Sequence, residues 1–82
     1  MQFLRMRPGY GEQLIAEGDV GVREDHERLI EMFRRQLDEG MWAAVPVESP
    51  EGREARMVRT FDEIPSGTGR VIFFPRAAGG AE

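Results

Sequence analysis

The stretch from Arg23 to Gly40 reads REDHERLIEMFRRQLDEG and predicts a single amphipathic helix. Residues suited to a core recur in it at three- and four-residue steps, which places them on one side of a helix. These residues are His26, Leu29, Ile30, Phe33 and Leu37. Acidic Glu24 and Asp25 fall in the first turn, where the helix dipole favours negative charge, and Gly40 is a typical C-terminal cap. We therefore predict a helix from Arg23 to Glu39.

A hairpin is predicted on the N-terminal side of this helix. Residues 1–7 read MQFLRMR, with apolar side chains among polar neighbours, as in a half-buried strand. Pro8 and Gly9 follow, and this pair is typical of a tight turn. A second strand is predicted at about residues 12–17.

Three more strands are predicted on the C-terminal side of the helix. Residues 41–47 read MWAAVPV, which suits a short apolar strand, and Pro46 indicates a sheet edge or a strand end. The sequence REARMVRTF at residues 53–61 alternates between two sets of side chains. One set is Ala55, Met57 and Phe61, and the other is Arg56, Val58 and Thr60. After a loop at residues 62–69, RVIFFPR at residues 70–76 is nearly continuously apolar, as a central strand would be.

The predicted order is therefore β-β-α-β-β-β, an α+β class. One amphipathic helix cannot bury its apolar side alone, and a mixed sheet offers the matching surface. This is the order of the β-grasp fold, in which the helix crosses a sheet whose last strand pairs centrally beside the first. We predict a single β-grasp domain over residues 1–76 and a flexible C-terminal tail, containing Gly-Gly, over residues 77–82.

The composition excludes several classes of protein. The chain is 40% hydrophobic and 32% charged, as expected of a globular domain, and it has no apolar run long enough to cross a membrane. It has no Cys and one His, so disulfides, thiolate catalysis and Cys-containing zinc sites are excluded and no metal or cofactor is expected. The start of the chain has no long apolar segment of a signal peptide, so a cytoplasmic location is predicted.

The charged residues argue against nucleic acid as a partner. The net charge is −4 and the arginines are spread along the chain, whereas nucleic-acid binding depends on basic patches. All eleven basic residues are Arg. The absence of Lys has two interpretations, which the sequence does not separate. One is codon usage in a GC-rich genome, and the other is avoidance of amines that would attack an activated C-terminus.

No enzyme constellation stands out, and we predict that the chain is not an enzyme by itself. Ser49 and Ser66 lie in Gly- and Pro-rich loops, and His26 lies on the core side of the predicted helix, so no positioned triad is indicated. Trp42 lies in an apolar strand. It therefore faces either the core or a partner, since Trp is a common interface anchor.

The last residues raise a different possibility. Ala77 to Gly80 read AAGG, which has almost no side-chain bulk and high backbone freedom, so it could enter a narrow channel. A glycine carboxylate is also unhindered for attack on the α-phosphate of ATP. The competing interpretation is a frayed chain end, where small residues are common.

The segment VIFFPRAAGG, residues 71–80, resembles the C-terminus of the MoaD-type sulfur carriers, the small subunits of molybdopterin synthase. Their last strand typically ends in Val-x-Phe-Phe-Pro-Pro, followed by a few residues and Gly-Gly. The matching residues are Phe73, Phe74, Pro75, Gly79 and Gly80. Arg76 stands in place of the second Pro, and the close match covers only this segment.

The resemblance implies a β-grasp protein whose terminal glycine is adenylated by an E1-like enzyme and then receives sulfur or is joined to an amine. Gly80 would carry the reactive carboxylate, and Gly79 would provide clearance. Contacts with the partner are expected at Phe73, Phe74, Pro75, Arg76 and Trp42. Because Ala81 and Glu82 follow the glycines, a tail-processing protease is a further expected partner.

A second hypothesis comes from a different class of protein. The chain could be a non-covalent assembly or adaptor module of β-grasp fold, a structural subunit whose tail packs into a neighbour. In that case Gly79 and Gly80 are incidental. Residues 81–82 distinguish the two hypotheses, because a carrier requires their removal and an assembly module does not.

Overall fold

A computed structural model of the chain describes residues 1–76. The predicted tail, with Gly79 and Gly80, lies outside the described residues. The described elements are β1 (Gln2–Arg7), β2 (Gly11–Glu17), α1 (Arg23–Asp38), β3 (Met41–Ser49), β4 (Gly52–Val58), a short 3-10 helix (Phe61–Glu63) and β5 (Arg70–Pro75). The structure is thus α+β, with one α-helix and a mixed sheet in the described part of the chain.

The five strands form one sheet in the order β2-β1-β5-β3-β4. β5 is parallel to β1 and antiparallel to β3, and the two outer pairs, β1 with β2 and β3 with β4, are antiparallel. The last strand therefore lies in the centre of the sheet beside the first, as the sequence predicts. A parallel pair needs a crossover connection, and the segment from β2 to β4 with α1 provides it.

The core lies between one face of the sheet and α1. Phe3 and Phe73 are completely buried, and their ring centroids are 5.1 Å apart in an edge-to-face arrangement. Phe33 of α1 packs edge-to-face on Phe73 at 5.6 Å. Smaller residues of the sheet fill the space around these rings, among them Ala43 and Val71, which are also fully buried. The three rings join the first strand, the helix and the last strand into one unit.

One polar side chain, Gln36, is buried at the edge of this core. The guanidinium of Arg5 donates a hydrogen bond to Gln36 Oε1 at 3.1 Å and another to Glu39 Oε1 at 2.8 Å. A buried polar atom without a partner costs free energy, and the bond from Arg5 satisfies the Gln36 Oε1 atom, while the amide nitrogen donates to Met32 Sδ. Arg5 therefore ties β1 to the C-terminal end of α1.

The predicted strand over residues 53–61 is too long, and β4 ends at Val58. The backbone N–H of Arg59, the residue after β4, donates a hydrogen bond to Glu63 Oε1 at 2.6 Å. This N–H therefore bonds to a side chain instead of a neighbouring strand, and the chain continues into the 3-10 helix. The alternation that groups Met57 with Phe61 is accordingly broken. Met57 is 46% exposed on the far side of the sheet, whereas Phe61 packs against the helix.

The helix agrees with the prediction to within one residue. It ends at Asp38 rather than Glu39, and Gly40 follows at φ 90°, the left-handed conformation that favours glycine. At the other end, Asp25 Oδ2 accepts a hydrogen bond from the Asp19 N–H at 2.9 Å, and Arg28 lies beside the same carboxylate. Asp25 thus connects the helix start to the preceding loop.

We expect Phe73→Ala to lower the free energy of unfolding by about 3–5 kcal/mol, because it empties the space that the three core rings share. Phe74→Ala is the matched control on the same strand, and we expect a smaller loss because its ring is only half-buried. Urea denaturation of both variants measures the difference. Equal losses, or a larger loss for Phe74→Ala, would contradict this assignment of the two rings.

The hydrogen bond from the Asp19 N–H lowers the pKa of Asp25 below its ordinary value, with a further contribution from Arg28. A lowered folded-state pKa stabilises the fold above the unfolded-state pKa, and this contribution is lost as the pH falls through the folded-state value. We therefore expect Asp25→Asn to lose less stability than the parent chain on acidification. Denaturation curves at neutral and acidic pH measure this, and identical pH profiles would rule out the contribution.

Candidate functional site

The side of the sheet opposite α1 is not covered by any element within residues 1–76. Strand pairing aligns five apolar residues in a row across all five strands on this side. In spatial order they are Leu14, Leu4, Ile72, Ala44 and Met57, and we call them the central row. Leu14 and Met57, at its two ends, are 48% and 46% exposed.

Three larger side chains extend this surface toward the end of β5. Trp42 and Phe74 are direct partners in the pairing of β3 with β5, and both are half-buried. Met6 is 40% exposed on β1 and follows Leu4 on the same face. We call the central row together with these three residues the open face. A continuous apolar surface that crosses a whole sheet is typical of a docking surface.

The first residue after β5 is held against this face. The Arg76 N–H donates a hydrogen bond to the Gly40 carbonyl at 3.3 Å. The Arg76 guanidinium lies over the Trp42 ring, 5.2 Å from its centroid, in a cation–π contact. We call Gly40, Trp42 and Arg76 the tail root, because they hold the chain at the point from which residues 77–82 continue.

A cleft of about 330 Å³ adjoins the tail root. Leu37, Met41 and Val58 form its apolar part. Arg59 and Arg76 are its two charged residues, and Trp42 lines it beside the open face. The cleft therefore combines an apolar floor with two positive charges, next to the point where the tail begins.

The predicted partner contacts divide between two places. Trp42, Phe74 and Arg76 meet at or beside the open face, and Pro75 is exposed at the end of β5. Phe73 is completely buried in the core, so its expected contact with a partner is corrected: its ring holds the strand from beneath. Of the two possible positions for Trp42, the structure shows the one away from the core.

Sequence reasoning did not identify most of the open face. The half-buried strand predicted at residues 1–7 does not indicate a surface for Leu4 and Met6, although they alternate with core-facing Phe3 and so lie on the other side of β1. Apolar residues on both sides of one strand are the feature of the sequence from which the open face could be predicted. The row across the five strands depends on pairing registers, which no local pattern contains.

Two larger recesses lie away from the open face. One, of about 510 Å³, is lined by the N-terminal residue, the loop before α1 and the loop before β5, and it includes Ser66 and Thr68. The other, of about 450 Å³, lies between α1 and the 3-10 helix, with Arg34 and Asp38 on the α1 side and Arg59 and Asp62 on the other. Neither lining contains His26, so neither recess brings that side chain to Ser66.

Comparison of the chain with protein-family models, with curated proteins and with solved structures found no match. Within residues 1–76, no helix is both long enough and apolar enough to span a bilayer. The same residues contain no cluster of three or more His, Cys, Asp or Glu side chains placed to hold a metal ion.

We expect Arg76→Ala to shift the tryptophan emission to longer wavelength, because removal of the guanidinium exposes one side of the Trp42 ring to water. Trp42 is the only tryptophan, so the emission reports the surroundings of this one ring. The loss of stability should be small, about 0.5–1 kcal/mol, as for an exposed cation–π pair. Arg34→Ala, at an exposed helix position, is the control and should leave the spectrum unchanged. An unchanged spectrum for Arg76→Ala would contradict the contact.

Proposed function

We propose that the chain is a β-grasp carrier protein of the ubiquitin-like or sulfur-carrier type, activated at the Gly80 carboxylate after removal of Ala81 and Glu82. One observation carries the proposal. The strand that carries Phe73, Phe74 and Pro75, the first residues of the FFPRAAGG motif, lies in the centre of the sheet, parallel to β1, and it ends at the tail root beside the open face.

The sheet topology supports the β-grasp part of the proposal. The order β2-β1-β5-β3-β4, with a parallel central pair and one helix across a single face, is the arrangement that the β-grasp fold requires. The centre of the sheet is its most constrained part, since β5 is paired on both sides. A chain that leaves from such a strand starts from a fixed position, which is what a reactive tail needs.

The reach of the tail fits the chemistry. Four residues, 77–80, separate the tail root from the proposed reactive carboxylate, and extended they span roughly 13 Å at about 3.3 Å per residue. Their small side chains let this span enter a narrow active site. The body of the carrier therefore stays outside the partner enzyme while Gly80 reaches the nucleotide.

The proposed reaction has two steps. A carboxylate oxygen of Gly80 attacks the α-phosphorus of ATP, and pyrophosphate leaves, so the product is an acyl-adenylate. A sulfur or amine nucleophile then attacks the carbonyl carbon and displaces AMP. The carrier contributes the carboxylate and its placement, and the E1-like enzyme supplies the machinery for both steps. The absence of Lys is consistent with a reactive acyl-adenylate, a mixed anhydride, because no side-chain amine of the carrier can attack it.

The open face is the surface on which such an enzyme would dock. It lies beside the tail root, so an enzyme bound there receives the tail directly. Trp42, which belongs to the tail root, and its strand partner Phe74 provide large aromatic contacts of the kind that dominate interface energies.

The second candidate function is the non-covalent assembly or adaptor module, a structural subunit. The open face favours it, because an apolar row across all five strands can bind a neighbour without any chemistry at the tail. In this case residues 81–82 are retained. Recovery of the protein from cells with Glu82 intact would favour the module, and a mature form ending at Gly80 would favour the carrier.

We expect a chain ending at Gly80 to become adenylated when incubated with ATP and its cognate E1-like enzyme. The chain that retains Ala81 and Glu82 is the control and should remain unmodified, because its Gly80 carbonyl is in a peptide bond. Mass spectrometry of the intact protein identifies the adenylate, a thiocarboxylate or an amide-linked adduct. A second control, Ala78→Gly, keeps the tail small and should remain a substrate.

The proposed function fails if the chain ending at Gly80 stays unmodified under these conditions and Gly80→Ala has no effect in cells.

A further inference from the structure

We propose that the open face binds the open face of a second copy of the chain, about a two-fold axis that runs parallel to the strands and passes over β5. This inference concerns the free protein and does not rest on the proposed carrier function. It starts from the central row, which has one residue from each strand and its midpoint on the middle strand.

An axis along β5 relates the strands of the two copies in a fixed way. β5 faces β5, β1 faces β3, and β2 faces β4, because the sheet order is β2-β1-β5-β3-β4. Ile72 then meets Ile72 of the second copy on the axis. Isologous contacts of this kind use the same surface on both subunits and close after two copies.

The sizes of the side chains are complementary under this operation. Leu4 lies over Ala44 of the second copy, so a large side chain meets a small one. On the other side of the axis, Ala44 lies over Leu4 of the second copy. Leu14 lies over Met57 of the second copy, which pairs the two most exposed members of the central row. Stacked sheets lie about 10 Å apart with their inner side chains interleaved, and the contact of Leu4 with Ala44 allows this on both sides of the axis.

The charges at the edges of the face are also complementary. Glu12 and Glu17 lie on the β2 edge, and the Glu17 carboxylate accepts a hydrogen bond from Gln2 on the same face. Arg53 lies on the β4 edge, on the same side as Met57. Because the axis places β2 over β4, Glu17 lies over Ala55 of the second copy, twice per dimer. Arg53 is the next residue along β4 on the same face, about 7 Å away, so its guanidinium is within reach of the Glu17 carboxylate. An axis perpendicular to the strands would instead place β2 over β2 and oppose like charges.

Arg70 marks one end of the contact. It lies on β5 two residues before Ile72, close to the axis, so it faces Arg70 of the second copy. Both side chains are exposed, and Arg76, exposed over the Trp42 ring, lies near the axis at the other end of β5. The apolar contact therefore lies between these two arginines, which stay in solvent at its ends. The dimer therefore covers Trp42 and Phe74. Any other partner of the open face must displace the second copy.

We expect the parent chain to show a reversible, concentration-dependent rise to twice the monomer mass in sedimentation equilibrium. Met57→Glu should weaken the dimer at least tenfold, because it places a carboxylate in the apolar contact while its exposed position preserves the fold. Val20→Glu is the matched control: Val20 is 44% exposed, similar to Met57, but it lies in the loop before α1. It should not change the dimer. A parent chain that stays monomeric to millimolar concentration would overturn the proposal.

Cross-linking tests the direction of the axis. The chain has no native cysteine, so Leu14→Cys and Met57→Cys each carry one reactive thiol. The axis along β5 brings these two positions together between copies. Within one copy they lie four strand spacings apart, about 19 Å. A bismaleimide with a span of about 10 Å should therefore link the 1:1 mixture of the two variants. Neither variant alone should be linked.

Cross-links between two copies of the Leu14→Cys variant, in a sample without the Met57→Cys variant, would indicate an axis perpendicular to the strands and overturn the proposal. A charge exchange gives an independent check. Glu17→Arg and Arg53→Glu should each weaken the dimer, and the double variant should recover it. Failure of this recovery would also overturn the proposed pairing. None of these measurements uses ATP or an activating enzyme, so their outcome is separate from that of the carrier function.

Discussion

The structure depends on the pairing of β5 with β1 on one side and with β3 on the other. β5 is the last strand along the chain, yet it lies in the centre of the sheet. Successive side chains of a strand point to opposite faces, so β5 contributes to two surfaces at once. Val71 and Phe73 complete the core under α1, while Ile72 and Phe74 form the middle of the open face.

The same strand links stability with the proposed function. Loss of Phe73 affects the core and therefore the position of β5, and the position of β5 determines where Arg76 and the tail begin. The contact of Arg76 with Trp42 holds one further residue in place beyond the end of β5. Under the proposed function, the fold holds Arg76, and with it the point where the tail begins, beside an apolar surface. Either a second copy or a partner enzyme would occupy that surface.

Much of the fold could be predicted from the sequence because its signals are local. The helix has a strong period, a glycine cap and no internal breaker, so its end was predicted to within one residue. The alternating pattern does not predict the end of β4. There the Arg59 N–H donates a hydrogen bond to the Glu63 side chain, and an alternation of apolar and polar residues carries no information about such a contact. The division between Phe73 and Phe74 was also missed, since a nearly continuous apolar strand does not indicate which side faces the helix. The open face depends on registers between distant strands, which appear only once the sheet is formed.

Native-state amide hydrogen exchange tests whether β5 is the strand on which the sheet is built. If it is, the amides of residues 71–74 exchange only through global unfolding, with a free energy equal to that from denaturant titration. The amides of the edge strands β2 and β4 should exchange faster, through local opening. Exchange of residues 71–74 at the rate of the edge strands would contradict the account.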